Sequence, residues 1–148
     1  MKLDDAFRDV QSVGLDTSPF IYFVERNPHR VDIMREIFRR ITNGRFKAIS
    51  SVITITEVLV LPFRQGNQKL VDSYNDLLFN GINFHLAAID FAIAKTAAKL
   101  RAEHNLRTPD ALQIATALEN GCDAFLCNDK NLKRVDQLRV LVLDDLEL

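Results

Sequence analysis

Residues 12–23 read SVGLDTSPFIYF. Val13 to Asp16 is a short, largely apolar run, which is the signature of a strand buried on both faces. Thr17 or Ser18 can cap a helix whose first position is Pro19, because proline has no N–H to lose in the first turn. A buried strand thus passes into a helix through one carboxylate, Asp16. If that handover recurs along the chain, the fold is a parallel sheet with helical crossovers.

It does recur. The first helix should end near Asn27-Pro28. Met34, Ile37, Phe38 and Ile41 then mark one face of a second helix that stops at Asn43-Gly44. Lys47–Ser50 reads as a second strand. The run SSVITITEVLVLPF (50–63) is rich in β-branched residues, yet it is long for one strand and a serine can cap it, so a helix is expected. Leu70, Val71, Tyr74, Leu77 and Leu78 form another stripe, closed by Asn80-Gly81. Ile82–Leu86 is a third strand, and Asp90 can cap a helix running to about Glu103. Thr108-Pro109 opens a helix with Ala111, Ile114, Ala115 and Leu118 on one face and Gly121 beyond its end. Ala124–Cys127 and Arg139–Leu143 complete a set of strands alternating with helices. The expected fold is α/β: three α/β/α layers around a mostly parallel five-stranded sheet, in a single domain over residues 1–148.

Composition sets the outer limits. Charged residues make up 26% of the 148 and the net charge is −1, so bulk charge does not point to nucleic acid. No apolar run approaches the roughly 20 residues of a membrane span. The N-terminus MKLDDAFRDV lacks the apolar stretch of a signal peptide, and Cys122 and Cys127 lack zinc-site spacing. Reduced cysteines and a cytoplasmic protein are expected. Bases are concentrated between Arg26 and Lys47; they read either as the solvated face of an amphipathic helix or as a rim that attracts phosphate. Arg35 and Arg39 lie on the polar side of that helix.

Open parallel sheets gather their sites at the carboxyl ends of the strands. Four acids fall near there. Asp16 ends the first strand, and Asp129 follows the fourth. Asp110 lies in the first turn after Thr108-Pro109, and Glu57 sits among Ile53, Ile55, Val58 and Leu59. Each has an ordinary explanation: a cap for Asp16, a turn for Asp129, a helix dipole for Asp110, and water or an arginine for Glu57. Together they suggest more. Two carboxylates about 4 Å apart repel by roughly 4 kcal/mol at an effective dielectric near 20. A converging set is tolerable around a divalent cation, and all-oxygen ligands suit Mg²⁺ or Mn²⁺.

The segments VGLDTSPFIYFVE (13–25), SVITITEVLVLP (51–62) and LRTPDALQIATALENGCDAFLCNDKNLKRV (106–135) resemble PIN domains, in particular the VapC-type ribonuclease toxins of toxin–antitoxin systems. The resemblance implies a PIN-like fold and assigns Asp16, Glu57, Asp110 and Asp129 as the catalytic, metal-binding acids, supported by Thr17 and Asn128. It implies Mg²⁺- or Mn²⁺-dependent cleavage of RNA by water, a homodimer and a cognate antitoxin. Lys130, Lys133 and Arg134, together with Arg35 and Arg39, are candidate contacts for substrate phosphates. The chain departs from the family pattern at Cys127, where Thr or Ser is common, and at Asn131, where an acid is common. The second departure puts a second metal in question. The alternative is a PIN-like module that binds RNA or protein without cutting.

Overall fold

A computed structural model describes residues 1–148. In chain order the elements are α1 (Leu3–Ala6), β1 (Ser12–Leu15), α2 (Thr17–Val24), α3 (Val31–Thr42), β2 (Lys47–Ser51), α4 (Ile53–Val58), α5 (Val60–Arg64), α6 (Gln68–Asn80), β3 (Phe84–Ala87), α7 (Phe91–His104), α8 (Thr108–Glu119), β4 (Ala124–Cys127) and β5 (Arg139–Val142). Two 3₁₀ turns, Lys130–Arg134 and Leu143–Asp145, flank β5. The five strands form one sheet in the order β3-β2-β1-β4-β5, with every neighbouring pair parallel. The three-layer α/β/α arrangement is as expected, and the sheet is fully rather than mostly parallel.

Alternation along the strands divides the core in two. Val13, Leu15, Ala48, Ala124, Leu126 and Leu141 face one side, where they meet Phe20, Met34, Ile37, Ile41, Tyr74 and Leu78 from α2, α3 and α6. Phe125, Cys127 and Val142 face the other side, against Ile93, Ala97, Leu100, Ala111, Ile114 and Ala115 from α7 and α8. Gly14 permits the closest approach: a Cβ there would lie 2.5 Å from Ala117 Cβ of α8. Both cysteines are free and buried. No helix is long and apolar enough to cross a membrane.

Several boundaries differ from those expected. The cap of α2 is Asp16 itself rather than Thr17 or Ser18: its carboxylate accepts the Thr17 N–H at 2.8 Å, and Thr17 is already helical. That helix ends at Val24, before Asn27-Pro28. The 50–63 run is not one helix. Ser50 and Ser51 close β2, and α4 and α5 follow as two short pieces that meet at Leu59. Ser51 still serves the helix start by accepting the Ile53 N–H at 3.2 Å. Strand β3 starts at Phe84 rather than Ile82, because Asn83 adopts a left-handed turn (φ 57°). From there its amide donates to the carbonyls of Ile41 (3.0 Å) and Thr42 (3.3 Å), closing the end of α3.

Sheet order locates the functional end. From β1 the chain moves outward to β2 and β3, then crosses back to β4 on the other side of β1. The crevice beyond the carboxyl ends of β1 and β4 is therefore the topological switch point, where such sheets bind ligands.

Candidate active site

Asp16 and Asp129 occupy that crevice because of register. Leu15 of β1 pairs with Leu126 of β4, and the Asp16 N–H donates to the Leu126 carbonyl at 2.9 Å. Asp16 is thereby held beside the residues leading to Asp129. Helix α8 lies against the β1–β2 side of the sheet with its first turn at the same end, which brings up Asp110. Helix α4 follows β2 directly and carries Glu57.

Electrostatics show that the four acids share one neighbourhood. Burial pushes the Asp16 carboxyl up to about 6, and the charges of Asp110, Glu57 and Asp129 add to the rise against the opposing Thr17 N–H. Asp110 is also raised, first by burial and then by Asp129, while Arg107 opposes the rise. The Cys127 thiol is pushed up to about 12 by burial, with Asp16, Asp129 and Asp110 contributing. Asp16 is thus influenced by the charges of side chains from three distant segments.

Much of their oxygen is uncommitted. Asp16 uses Oδ1 for the Thr17 N–H, Glu57 uses Oε1 for the Thr17 hydroxyl at 3.0 Å, and Asp129 uses Oδ1 for the Asn131 N–H at 2.9 Å. Asp110 is half-buried, and its carboxylate accepts no hydrogen bond, although Arg107 is near enough to oppose its rise. As the side chains stand, no three of them are gathered tightly enough to share one ion. The donor set nevertheless fits a hard divalent cation: four carboxylates with free oxygens and no competing histidine. A cation would also relieve the burial and repulsion that raise Asp16.

Beneath the acids lies a buried polar lattice that the acid pattern alone does not reveal. Gln113 of α8 donates to the hydroxyls of Thr54 (2.8 Å) and Thr17 (3.3 Å), and its carbonyl accepts from the Ser51 hydroxyl at 2.7 Å. Ser50 bridges the Leu15 carbonyl (2.8 Å) and Thr54 (2.8 Å). Ser50, Ser51, Thr54 and Gln113 are all almost fully buried. The lattice ties β1, β2, α2, α4 and α8 together directly under Asp16, and Thr17 passes the connection on to Glu57. Its trace in the sequence is the density of hydroxyls at 50–56 and the polar Gln113 within an otherwise apolar helix.

The other candidates are placed differently. Thr17 lies between two of the acids: its N–H donates to Asp16 and its hydroxyl to Glu57. Asn128 turns away from them and bonds Tyr22 and Asp144. Lys130 and Lys133 follow Asp129, but both pair with Asp145. Arg134 donates to the Asn105 carbonyl at 3.2 Å. Arg35 and Arg39 pair along α3 with Asp32 and Glu36. Arg35 also lines a cleft of about 350 Å³ with Phe23, Val24 and Leu77, to which none of the four acids contributes. None of the molecule's four larger clefts includes any of the four acids.

The sequence profile of the PIN domain family matches residues 13–138. A search of curated proteins found no match. Among solved structures, the chain is similar to VapBC2 from Rickettsia felis bound to a promoter DNA fragment, with TM-score 0.69 and 14% identity over 89% of this chain and 98% of that one. It is also similar to a toxin–antitoxin complex from Klebsiella pneumoniae (TM-score 0.64, 19% identity, 90% and 98% covered). DNA-bound VapBC from Salmonella typhimurium is a third (TM-score 0.65, 19% identity, 90% and 98% covered). At these identities the likeness is one of fold.

Proposed function

The chain belongs to the PIN domain family, and on that premise we propose that it is a divalent-metal-dependent endoribonuclease, the toxin of a toxin–antitoxin pair. One observation carries the proposal: the Asp16 carboxyl, desolvated at the switch point and within reach of the charges of Asp110, Glu57 and Asp129, has its pKa pushed up to about 6. A site that strains its own carboxylates is suited to a cation.

Asp16, Asp110 and Asp129 would hold Mg²⁺ or Mn²⁺, with Glu57 binding through water or orienting the attacking water. When bound, such an ion polarises the phosphodiester, lowers the pKa of its water and stabilises the leaving oxygen. The chain's own groups supply the rest. The Thr17 hydroxyl fixes one oxygen of Glu57 and leaves the other free to accept a proton from water. Gln113 fixes Thr17 in turn by donating to its hydroxyl at 3.3 Å. Cys127, with its thiol near 12, stays protonated and is no nucleophile at neutral pH.

The reading extends to a cytoplasmic homodimer restrained by a cognate antitoxin; the resemblance in fold to chains from a toxin–antitoxin complex supports the partner. The test is to incubate the purified protein with RNA in Mn²⁺ or EDTA, beside Asp16→Asn. Metal-dependent cleavage that the substitution abolishes is the expected result. A wild type that binds RNA and leaves it intact in Mn²⁺ would favour a non-cutting module.

A further inference from the structure

Four side chains from separate parts of the molecule close a ring beside the acids. Asn128, in the loop after β4, donates from Nδ2 to the Tyr22 hydroxyl of α2 at 3.2 Å. Its Oδ1 accepts the Asp144 N–H at 3.0 Å. The Asp144 carboxylate takes two bonds from Arg30, Nε at 2.7 Å and Nη2 at 2.9 Å. The Arg30 guanidinium lies 4.9 Å over the Tyr22 ring, which completes the circuit.

A lone surface ion pair contributes little. This one differs in three respects. It is bidentate, and its cation stacks on an aromatic face, a geometry that only arginine provides. Arg30 also holds the Asp144 carboxyl below the usual carboxylate range. Above all, both ends of the Asn128 amide are used, each by a different element, so the side chain has one orientation. The next residue is Asp129, whose Oδ1 is bound by the Asn131 N–H and whose other oxygen is free. Sites of this kind need their groups held to within about 0.5 Å. Asp129 has no partner in the buried lattice under Asp16; its loop is held by its carbonyl, which accepts the Leu132 N–H at 3.1 Å and the Cys127 thiol at 3.6 Å, and on the Asn128 side by the ring.

We propose that Tyr22 and Arg30 are positioning residues that act through Asn128 and Asp144 to hold Asp129 in place for a divalent cation. The cation rests on the nuclease reading above, and the ring rests on geometry alone.

Tyr22→Phe removes the hydroxyl and keeps the ring under Arg30; Arg30→Gln removes the bidentate pair. Arg8→Gln, which opens the exposed pair with Asp5, is the control. Two quantities are measured: hydrogen exchange of the Asn131 amide in metal-free protein, and Mn²⁺ affinity by calorimetry. Both Tyr22→Phe and Arg30→Gln should speed Asn131 exchange; Tyr22→Phe should weaken Mn²⁺ binding by about threefold to tenfold, the worth of one neutral hydrogen bond, and Arg30→Gln, which removes two charge-assisted bonds, by at least as much. Amides of β1 and α8 should hold their rates, and Arg8→Gln should alter neither quantity. Unchanged Asn131 exchange in both variants overturns the proposal. Faster exchange with unaltered Mn²⁺ affinity overturns it too, because the ring would then be structural only. A wild type that binds no Mn²⁺ sinks the nuclease reading, and the exchange rates alone then decide whether Tyr22 and Arg30 hold the Asp129 loop.

Discussion

Asp16→Asn should make the metal-free protein more stable at neutral and alkaline pH. An asparagine Oδ1 can still accept the Thr17 N–H, so the cap of α2 survives. What disappears is a charge that burial and three neighbouring acids disfavour. The rise from 3.8 to about 6 corresponds to about 3 kcal/mol. The folded protein holds this proton more tightly than the unfolded chain does. The contribution of Asp16 to stability is therefore fully present below about pH 3.8 and is lost as pH climbs through about 6. Above that, the ionised carboxylate burdens the fold and asparagine does not.

The gain at pH 8 should be about 1–3 kcal/mol, the lower figure allowing for the weaker Thr17 bond to a neutral amide. In a chain of this size that is a rise in melting temperature of roughly 3–9 °C. The assay is thermal and urea unfolding in EDTA at pH 8, 6 and 4.5, with the gain shrinking towards the acid end. Adding Mn²⁺ at a hundred times its Kd should then stabilise the wild type by about 2.7 kcal/mol and the variant by less. A variant less stable than wild type at pH 8 in EDTA would refute the reasoning. So would a difference that is the same at every pH, because the charge of Asp16 would then not be its source.

Three further outcomes follow from the packing. Gln113→Ala strips partners from Ser51, Thr17 and Thr54 in a dry interior; urea unfolding should show a loss of about 2–4 kcal/mol. Gly14→Ala puts a methyl group 2.5 Å from Ala117 Cβ, between β1 and α8, and should lower stability by about 1–3 kcal/mol in the same assay. Asp145→Asn frees Lys130 and Lys133 from their shared carboxylate; RNA affinity should rise, and its logarithm should fall more steeply with log salt concentration, by about 0.7 in slope for each added phosphate contact.

The layers of the fold are readable from periodicity, since every strand and every long helix carries its own apolar pattern. What escapes is governed by tertiary partners. Nothing local says that α4 and α5 break at Leu59, or that Asn83 turns left-handed to close α3 before β3 can begin. The site divides in the same way. Asp16 and Asp129 beyond strands, and Asp110 and Glu57 within apolar helices, stand out because apolar neighbours make charge conspicuous, whereas Ser50, Ser51, Thr54 and Gln113 look like ordinary polar residues until their burial is known. Asn128 is visible as a position, but its partners, Tyr22 in α2 106 residues earlier and Asp144 16 residues later, are not.

The buried lattice and the acids differ in a way that bears on mechanism. Each hydroxyl and amide of the lattice satisfies another, so the lattice stiffens the floor of the crevice without adding charge. The carboxylates above it are left under-partnered: Asp110 has no donor, and Asp16, Glu57 and Asp129 each have one. A fold selected for stability alone would do better with amides at Asp16 and Asp110, since burial works against both charges. Rigid support beneath and unmet charge on top is the division expected of a cation site, where charge repulsion in the empty state becomes affinity once the ion arrives. Stability without metal and cleavage with it should therefore move in opposite directions when either Asp16 or Asp110 is neutralised. An acid kept only for the fold could not produce that pattern.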